Sequence, residues 1–536
     1  MKDTLSALAA SAALSLVIAG CATQESHEGH ARLGKVNFPV ECNAEAQREF
    51  NLAMAYYHSF AWQHIREPLE AVLKADPACG MAHWARALAS LDNPFTWPGT
   101  ISVATLNQGP DILATARKTG LKSQRERDYV DALGVFFRDH DKLDHRTRAR
   151  ALENALDQVR SRYPQDSEAA VLYALVLSAN FDPTDRKYTN QLKAAAVLEP
   201  IFKQQPEHPG VAHYLIHSYD YPPIAKQGLD AARRYDKIAP DAPHALHMPS
   251  HIFTRVGAWK ESIRSNRASA TSATDKTFDK WHAYDYMVYA HLQLGEDSAA
   301  RKVVAEALGN PARVDHFATA YAYAAMPARL ALERAAWKDA ASVELAPAAA
   351  AYPWGKYPQA ESINAYARGI GAAMSGDAAG ARVELARLEK LRGVATERKI
   401  GYWAEEIGIQ AEVVRGLAFC AEGKRADCAA TLRAAADRED KLEKHVVTPG
   451  RLVPAREMLA AVTLESGDAT AALREYETVL EREPNRLRTF SGAARAAERA
   501  GDKAKAAQYA RRVVEQTASA DTQLVDVADA KRLLGR

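Results

Sequence analysis

Two pairs of histidines repeat along the chain. His213 and His217 lie four residues apart in Ala212-His213-Tyr214-Leu215-Ile216-His217. His247 and His251 lie four apart in His247-Met248-Pro249-Ser250-His251, 34 positions further on. Residues four apart share one face of a helix, about one turn from each other. Packed helices run about 8–10 Å apart, so matching faces of two neighbours bring four imidazoles together. Four imidazoles near a carboxylate are ligand chemistry for a Zn, Cu or Fe ion. Asp285, in Trp281-His282-Ala283-Tyr284-Asp285-Tyr286-Met287-Val288-Tyr289, supplies that carboxylate as a ligand or as the group that orients one. A filled site would be structural or storage-like, and one with a vacant position could bind a small ligand or activate water. Other uses are a groove in which neutral His, Tyr and Asp grip a peptide, a pH sensor, and paired histidines copied with their repeat as packing residues.

The elements that must position these residues are helices. Alanine-rich runs dominate, and alanine is the best helix former. Pro249 interrupts this pattern: inside a helix it removes the bond to residue 245, and a helix starting late there would take His247 out of line with His251. The 34-residue spacing is a repeat length. Ala472, Tyr476 and Pro484 close one unit, with Gly467-Asp468 at its turn. Ala506, Ala510 and Gly501-Asp502 repeat the phasing. Further corners stand at Gly257-Ala258-Trp259, Ala335-Ala336-Trp337, Gly376-Asp377 and Gly295, and Leu52-Ala53 with Tyr56 runs to Asp76-Pro77 at the other end.

These patterns resemble the tetratricopeptide repeat (TPR). The resemblance implies an all-α, right-handed solenoid of helix-turn-helix units, eleven or twelve of them between about 45 and 516. It also implies a concave groove lined by the first helix of each pair. On that phasing His213 and His247 take position 5 of their units, His217 and His251 position 9, and Asp285 and Tyr289 the same places in the next. Tyr214, His282, Tyr289, Arg329, His58 and Trp84 are the other expected groove residues. Ala325-Met326-Pro327-Ala328-Arg329 echoes His247-Met248-Pro249-Ser250-His251 with both histidines replaced, so the Met-Pro element is architectural and the histidines are local. Arg329 could meet an anionic group there.

The first thirty residues read as an address. Thr4 to Ala19 is apolar and small, too short to span a bilayer, and leads into Val17-Ile18-Ala19-Gly20-Cys21. This resembles a bacterial lipoprotein signal, which implies acylation of Cys21; an ordinary cleaved signal is the alternative. Ala22 after the cysteine favours the outer membrane, facing the periplasm or the cell surface. The remaining cysteines, Cys42, Cys79, Cys420 and Cys428, are even in number, which in an oxidising compartment suggests disulfides. Cys420 and Cys428 flank the turn at Glu422-Gly423-Lys424, which would leave Cys42 with Cys79; four free buried thiols are the alternative. The phrases Asp76-Pro77-Ala78-Cys79-Gly80-Met81-Ala82-His83-Trp84 and Ala245-Leu246-His247-Met248-Pro249-Ser250-His251 give most of the chain a resemblance to envelope TPR proteins of bacteria.

The resulting division is a signal at 1–21, a flexible tether at 22–40, irregular repeats at 41–200, the histidine units at 201–310, further repeats at 311–520 and a cap at 521–536. With 536 residues, 47% hydrophobic and 25% charged, the chain is neither disordered nor a multi-span membrane protein. Lys and Arg number 69 against 67 Asp and Glu, which removes the basic excess a nucleic-acid partner would require. No phosphate-binding loop, nucleophile elbow, HExxH or kinase signature occurs. The expectation is a lipid-anchored scaffold, not an enzyme, that binds a protein or peptide in its groove and carries a His-rich metal site. A hydrolase-like metalloenzyme and a purely structural assembly protein are the alternatives.

Overall fold

The computed structural model describes residues 31–535. The signal over 1–21 with its Cys21, and residues 22–30 of the expected tether, lie outside the described residues. Among the described residues every regular element is a helix. Consecutive helices pack on each other, and first helices of successive pairs also touch: Pro358–Met374 packs on Ala378–Glu397 and on Gly401–Ala421. This is the all-α TPR-like array that the 34-residue repeat implies. Its corners fall where the sequence places them. Gly257, Gly295, Gly376, Gly423, Gly467 and Gly501 all adopt positive φ, and Asp377, Asp468 and Asp502 accept a backbone N–H in the first turn of the helix that follows. At Gly295 (φ +73°) a side chain would also strike Leu524, so both conformation and space require glycine.

Eight helices position the histidines: α1 (Ala44–His58), α2 (Ser167–Ala179), α3 (Pro209–Tyr219), α4 (Pro243–His247), α5 (Pro249–Val256), α6 (Trp259–Ser272), α7 (Asp279–Gln293) and α8 (Phe317–Leu332). α3 packs on α1, α2 and α5; α4 and α5 pack on α6; α7 packs on α4, α6 and α8. Pro249 splits what would be one helix into α4 and α5, but Met248 between them stays near helical dihedrals (φ −52°, ψ −36°), and His247 Nε2 and His251 Nε2 remain 3.0 Å apart.

Two segments tie the array to itself. The first part of the body is strapped down: Arg32 pairs with Asp241 (2.8 Å), Lys35 N–H donates to the Glu207 carbonyl (2.9 Å), and Phe38 is wholly buried. From residue 32 onward, then, the expected tether is a packed segment. The second is the non-helical stretch 440–454 between helices Arg425–Glu439 and Ala455–Glu465. Glu443 pairs with Arg186, Lys444 approaches Asp220 (3.7 Å), and Val446 and Thr448 offer carbonyls to Tyr286 (3.2 and 3.3 Å). Disulfides join Cys42 to Cys79 and Cys420 to Cys428.

Candidate metal centre

The histidines collect into two sets of three, not one set of four. In the first set α3 supplies His213 and His217 and α4 supplies His244; one ring nitrogen of each lies within 4.8 Å of the others. α3 starts at Pro209, with His208 as its cap accepting the Val211 N–H, and this fixes the turn on which His213 and His217 sit. His213 donates its Nδ1–H to the carbonyl of His58 (2.7 Å), so its Nε2 carries a lone pair. That Nε2 is buried with no hydrogen-bond partner, and so are Nε2 of His217 and Nε2 of His244. Three buried nitrogens without a partner in one cluster are an expensive arrangement, and a cation held among the rings would offset the cost.

Aromatic rings wall the set. Phe95 stacks on His217 (centroids 3.9 Å), Phe60 packs edge-on against His213 (4.3 Å), and Tyr235 stacks on its other face (5.3 Å). Phe60 has φ +53°, a left-handed backbone that a phenylalanine adopts only under constraint. Burial holds all three imidazoles well below the ordinary histidine range, leaving them neutral and able to ligate at neutral pH.

The second set is His247 (α4), His251 (α5) and His282 (α7). His247 Nδ1 lies 2.6 Å from Asn266 Oδ1, and Asn266 spends its Nδ2 on the Ser262 carbonyl (2.8 Å). Asn266 therefore accepts, and His247 donates from Nδ1. His251 Nδ1 lies 2.9 Å from Asp220 Oδ2, while Arg255 holds the other carboxylate oxygen (2.8 Å). Burial opposes ionisation of Asp220, but Lys444 and Arg255 overcome it and keep the group well below the usual carboxylate range. His251 therefore also donates from Nδ1. With both Nδ1 protons committed, His247 Nε2 and His251 Nε2 present lone pairs to each other at 3.0 Å. Two ligands about 2.0–2.1 Å from one tetrahedral ion stand roughly 3.3 Å apart, so the pair is spaced for an ion. His282 completes the set, its ring 4.3 Å from that of His247.

The two sets adjoin. Across them, ring centroids are 5.9 Å (His217 to His251) and 6.1 Å (His244 to His247); within them they span 4.3–6.4 Å.

A third cluster, His58, Glu168 and His208, is of another kind. His208 Nδ1 accepts the Val211 N–H, so its Nε2–H donates to Glu168 (2.8 Å). His58 reaches Glu168 from Nε2 (3.0 Å) and Tyr214 OH from Nδ1 (2.9 Å). Burial pushes the Glu168 carboxyl up, but the two imidazoles outweigh it and hold the group at about 2. Every ring nitrogen here has a partner, so the cluster is a brace: through its carbonyl, His58 fixes the tautomer of His213. Gly210 makes the brace possible, because a Cβ there would lie 2.5 Å from His58 Nδ1.

Several expected roles change. Asp285 is no ligand: Arg329 on α8 takes it in a buried pair (2.8 Å), because a guanidinium across the helix interface binds a carboxylate better than neutral imidazoles do. Arg329, expected to meet a ligand in the groove, also donates to Thr448 Oγ1 and the Gly450 carbonyl and lies over the ring of Tyr289 (4.9 Å), so Asp285, Tyr289 and Arg329 anchor the 440–454 segment. Tyr214 and His58 belong to the brace, His282 to the second histidine set. Trp84 is buried against Phe38, its indole donating to the Tyr129 carbonyl (3.1 Å). All of these side chains are buried, so none of them lines an open groove. Two members of the sets, His244 and His282, and the groups Asp220 and Asn266 that bond to them or their neighbours fall outside the 34-residue ladder; the clearest signal for His244 was its place three residues, nearly one helical turn, before His247.

The fold and this centre define a helical-repeat protein with a buried polyhistidine core. No protein-family model and no curated protein sequence matches the chain. Solved structures resemble it in fold: the Cut9–Hcn1 hetero-tetramer of APC/C at 11% identity, covering 93% of this chain and 78% of that one (TM-score 0.36). IFIT1 with Gppp-AAAA matches at 11% identity over 88% and 90% (TM-score 0.31), and yeast Tom70 at 10% over 92% and 89% (TM-score 0.28).

Proposed function

We propose that this chain is a metal-binding helical-repeat protein that holds two transition-metal ions in adjoining three-imidazole sites, one on His213, His217 and His244 and the other on His247, His251 and His282. The observation that carries the reading is the 3.0 Å contact between two nitrogens whose protons are both engaged elsewhere. Each site has three neutral nitrogen donors, a pattern suited to Zn, Cu or Fe, with a fourth position left for a small ligand. The brace at Glu168, the amide of Asn266 and the carboxylate of Asp220 do for these imidazoles what outer groups do in metal sites generally: they fix the tautomer and aim the ring.

An envelope setting belongs to the same proposal. Acylation of Cys21 would anchor the body, and both disulfides suit an oxidising compartment. A protein or peptide partner would meet the array on a face other than the one crossed by residues 440–454.

Elemental analysis of the purified full chain tests the metal reading. Close to two ions per chain are expected. The double variant His213→Ala/His217→Ala should retain about one, and so should His247→Ala/His251→Ala, with helicity checked by circular dichroism. No metal in any form after reconstitution with Zn, Cu and Fe salts would overturn it.

A further inference from the structure

Residues 440–454 and the end of helix Ala469–Arg482 enclose a cavity of about 250 Å³ against Arg186, Tyr188 and Arg255. Drug-sized molecules take roughly 300–1,000 Å³, so the occupant of this cavity is small. Most charged groups of the wall have close partners. Arg255 pairs with Asp220 (2.8 Å), Arg451 with Glu406 (2.9 Å), Arg186 with Glu443, and Arg456 with Asp437 and Asp440 (2.6 and 2.7 Å). Glu439 accepts the Ala455 N–H (2.8 Å) and lies 3.7 Å from Arg451, and Glu481 is exposed to solvent.

Lys444, Arg482 and Glu483 are left over. Lys444, 3% exposed at its side chain, makes no hydrogen bond among the described residues. Its nearest carboxylate, Asp220, is 3.7 Å away and already holds Arg255 and His251. Arg482 stands 3.8 Å from Glu443, which already holds Arg186. Glu483 is buried with no cation within 4.0 Å among the described residues, and accepts only a long N–H contact from Arg451 (3.5 Å). Tyr188, also in the wall, keeps a left-handed backbone (φ +54°), a costly conformation for tyrosine of the kind found where ligands are clamped.

A buried charge without a close counter-ion is costly, and this wall carries such charges of both signs. An anion alone would satisfy Lys444 and Arg482 but stand against Glu483, and a cation alone would do the reverse. A molecule with a carboxylate and an ammonium a few bonds apart answers both. Pro222, Pro223, Leu442 and Val479 add apolar surface that suits an aliphatic side chain. We propose that this cavity binds a free α-amino acid, its carboxylate held by Lys444 and Arg482 and its ammonium by Glu483. Such binding requires no metal at the histidine sets.

Calorimetric titration of the purified full chain with free L-amino acids, their N-acetyl forms and their carboxamides tests this. The expected result is saturable one-to-one binding of a free amino acid with an aliphatic side chain, and affinity lower by about 10-fold or more for either blocked form. Glu483→Gln should lose the preference for the free ammonium, so that the N-acetyl form binds as well as its parent. Lys444→Met should lose the preference for the free carboxylate, and Arg482→Gln, at a 38% exposed position, should weaken that preference with little effect on the fold. A merely structural role would lower all affinities together and leave their ratios in place, which would overturn the roles given to these side chains. Blocked forms that bind the unaltered chain as well as free ones would overturn the proposal. So would inorganic phosphate binding in place of amino acids, or no binding of any free amino acid by calorimetry and thermal shift.

Discussion

At the scale of the residue, the proposed metal binding depends on which nitrogen carries each proton. Asn266 matters as much as a ligand, although it would touch no ion: its Oδ1 draws the His247 proton to Nδ1 and turns the Nε2 lone pair toward His251. Asn266→Ala should weaken metal binding roughly 10–100-fold, read by competition with a chelator, while Asn266→Asp, which keeps an acceptor, should recover most of it. An unchanged affinity in Asn266→Ala would show that the tautomer is set by other means. The four histidines of the ladder were legible because a spacing of four and a spacing of 34 are both periods of helical structure. His244 was not, being 31 positions beyond His213 and supplied by a neighbouring helix at an angle no single-helix period records. Asp285 misled for a related reason. Its place on α7 is visible in the sequence, but the arginine that claims it lies on α8, and preference between helices leaves no mark on the spacing of either.

At the scale of the element, the non-helical stretch 440–454 is held by buried charge. Arg329 is wholly buried between Asp285 and the Thr448–Gly450 turn. Removing one member of such a pair leaves the other charged and unpaired, so Arg329→Met should destabilise the fold by about 3–5 kcal/mol in urea unfolding. Arg329→Met with Asp285→Asn should recover part of that loss, and equal losses in single and double variants would count against the pair. Two histidines, His445 in this stretch and His316 at the start of α8, add to the pH dependence of the metal-free protein. His445 and His316 each accept a backbone N–H through Nδ1, from Val447 and Ala318 (both 3.1 Å), a role that protonation ends. Burial lowers His445 to about 3 and His316 to about 4, against about 6.5 in the unfolded chain. Folded values below the unfolded one mean that the unfolded chain takes up protons first. The contribution is therefore complete above pH 6.5 and drains away as the pH falls toward 4, by roughly 1–2 kcal/mol for each histidine at pH 5. Urea midpoints of the metal-free chain at pH 7 and pH 5 check this, and replacing both residues with Gln should shrink the difference by their share, the rest staying with the buried histidines of the centre, which burial also lowers. Repeat corners such as Gly295 were legible as elements; residues 440–454 were not, since a segment without periodicity announces neither a destination nor a partner.

At the scale of the whole molecule, the sequence shows a linear succession of units, and the structure adds contacts a linear succession would not make. Arg486 joins Glu333 in a buried pair across 153 positions, Leu487 N–H donates to Gln293 across 194, and Arg186 meets Glu443 across 257. The repeat period specifies neighbours and is silent about such distant pairs. They bear on how the protein breaks. An open array of repeats behaves as a row of nearly independent units, each stabilised by the next, and yields from its ends a unit at a time. A chain laced to itself in this way resembles a drawstring more than a spring: no end unit can leave until the lacing gives. Pulled between its termini, it should hold to one large force and then release most of its length in a single step, where an unlaced solenoid would pay out smoothly. Releasing that lace, by Arg486→Met together with Arg186→Met, should restore the gradual extension.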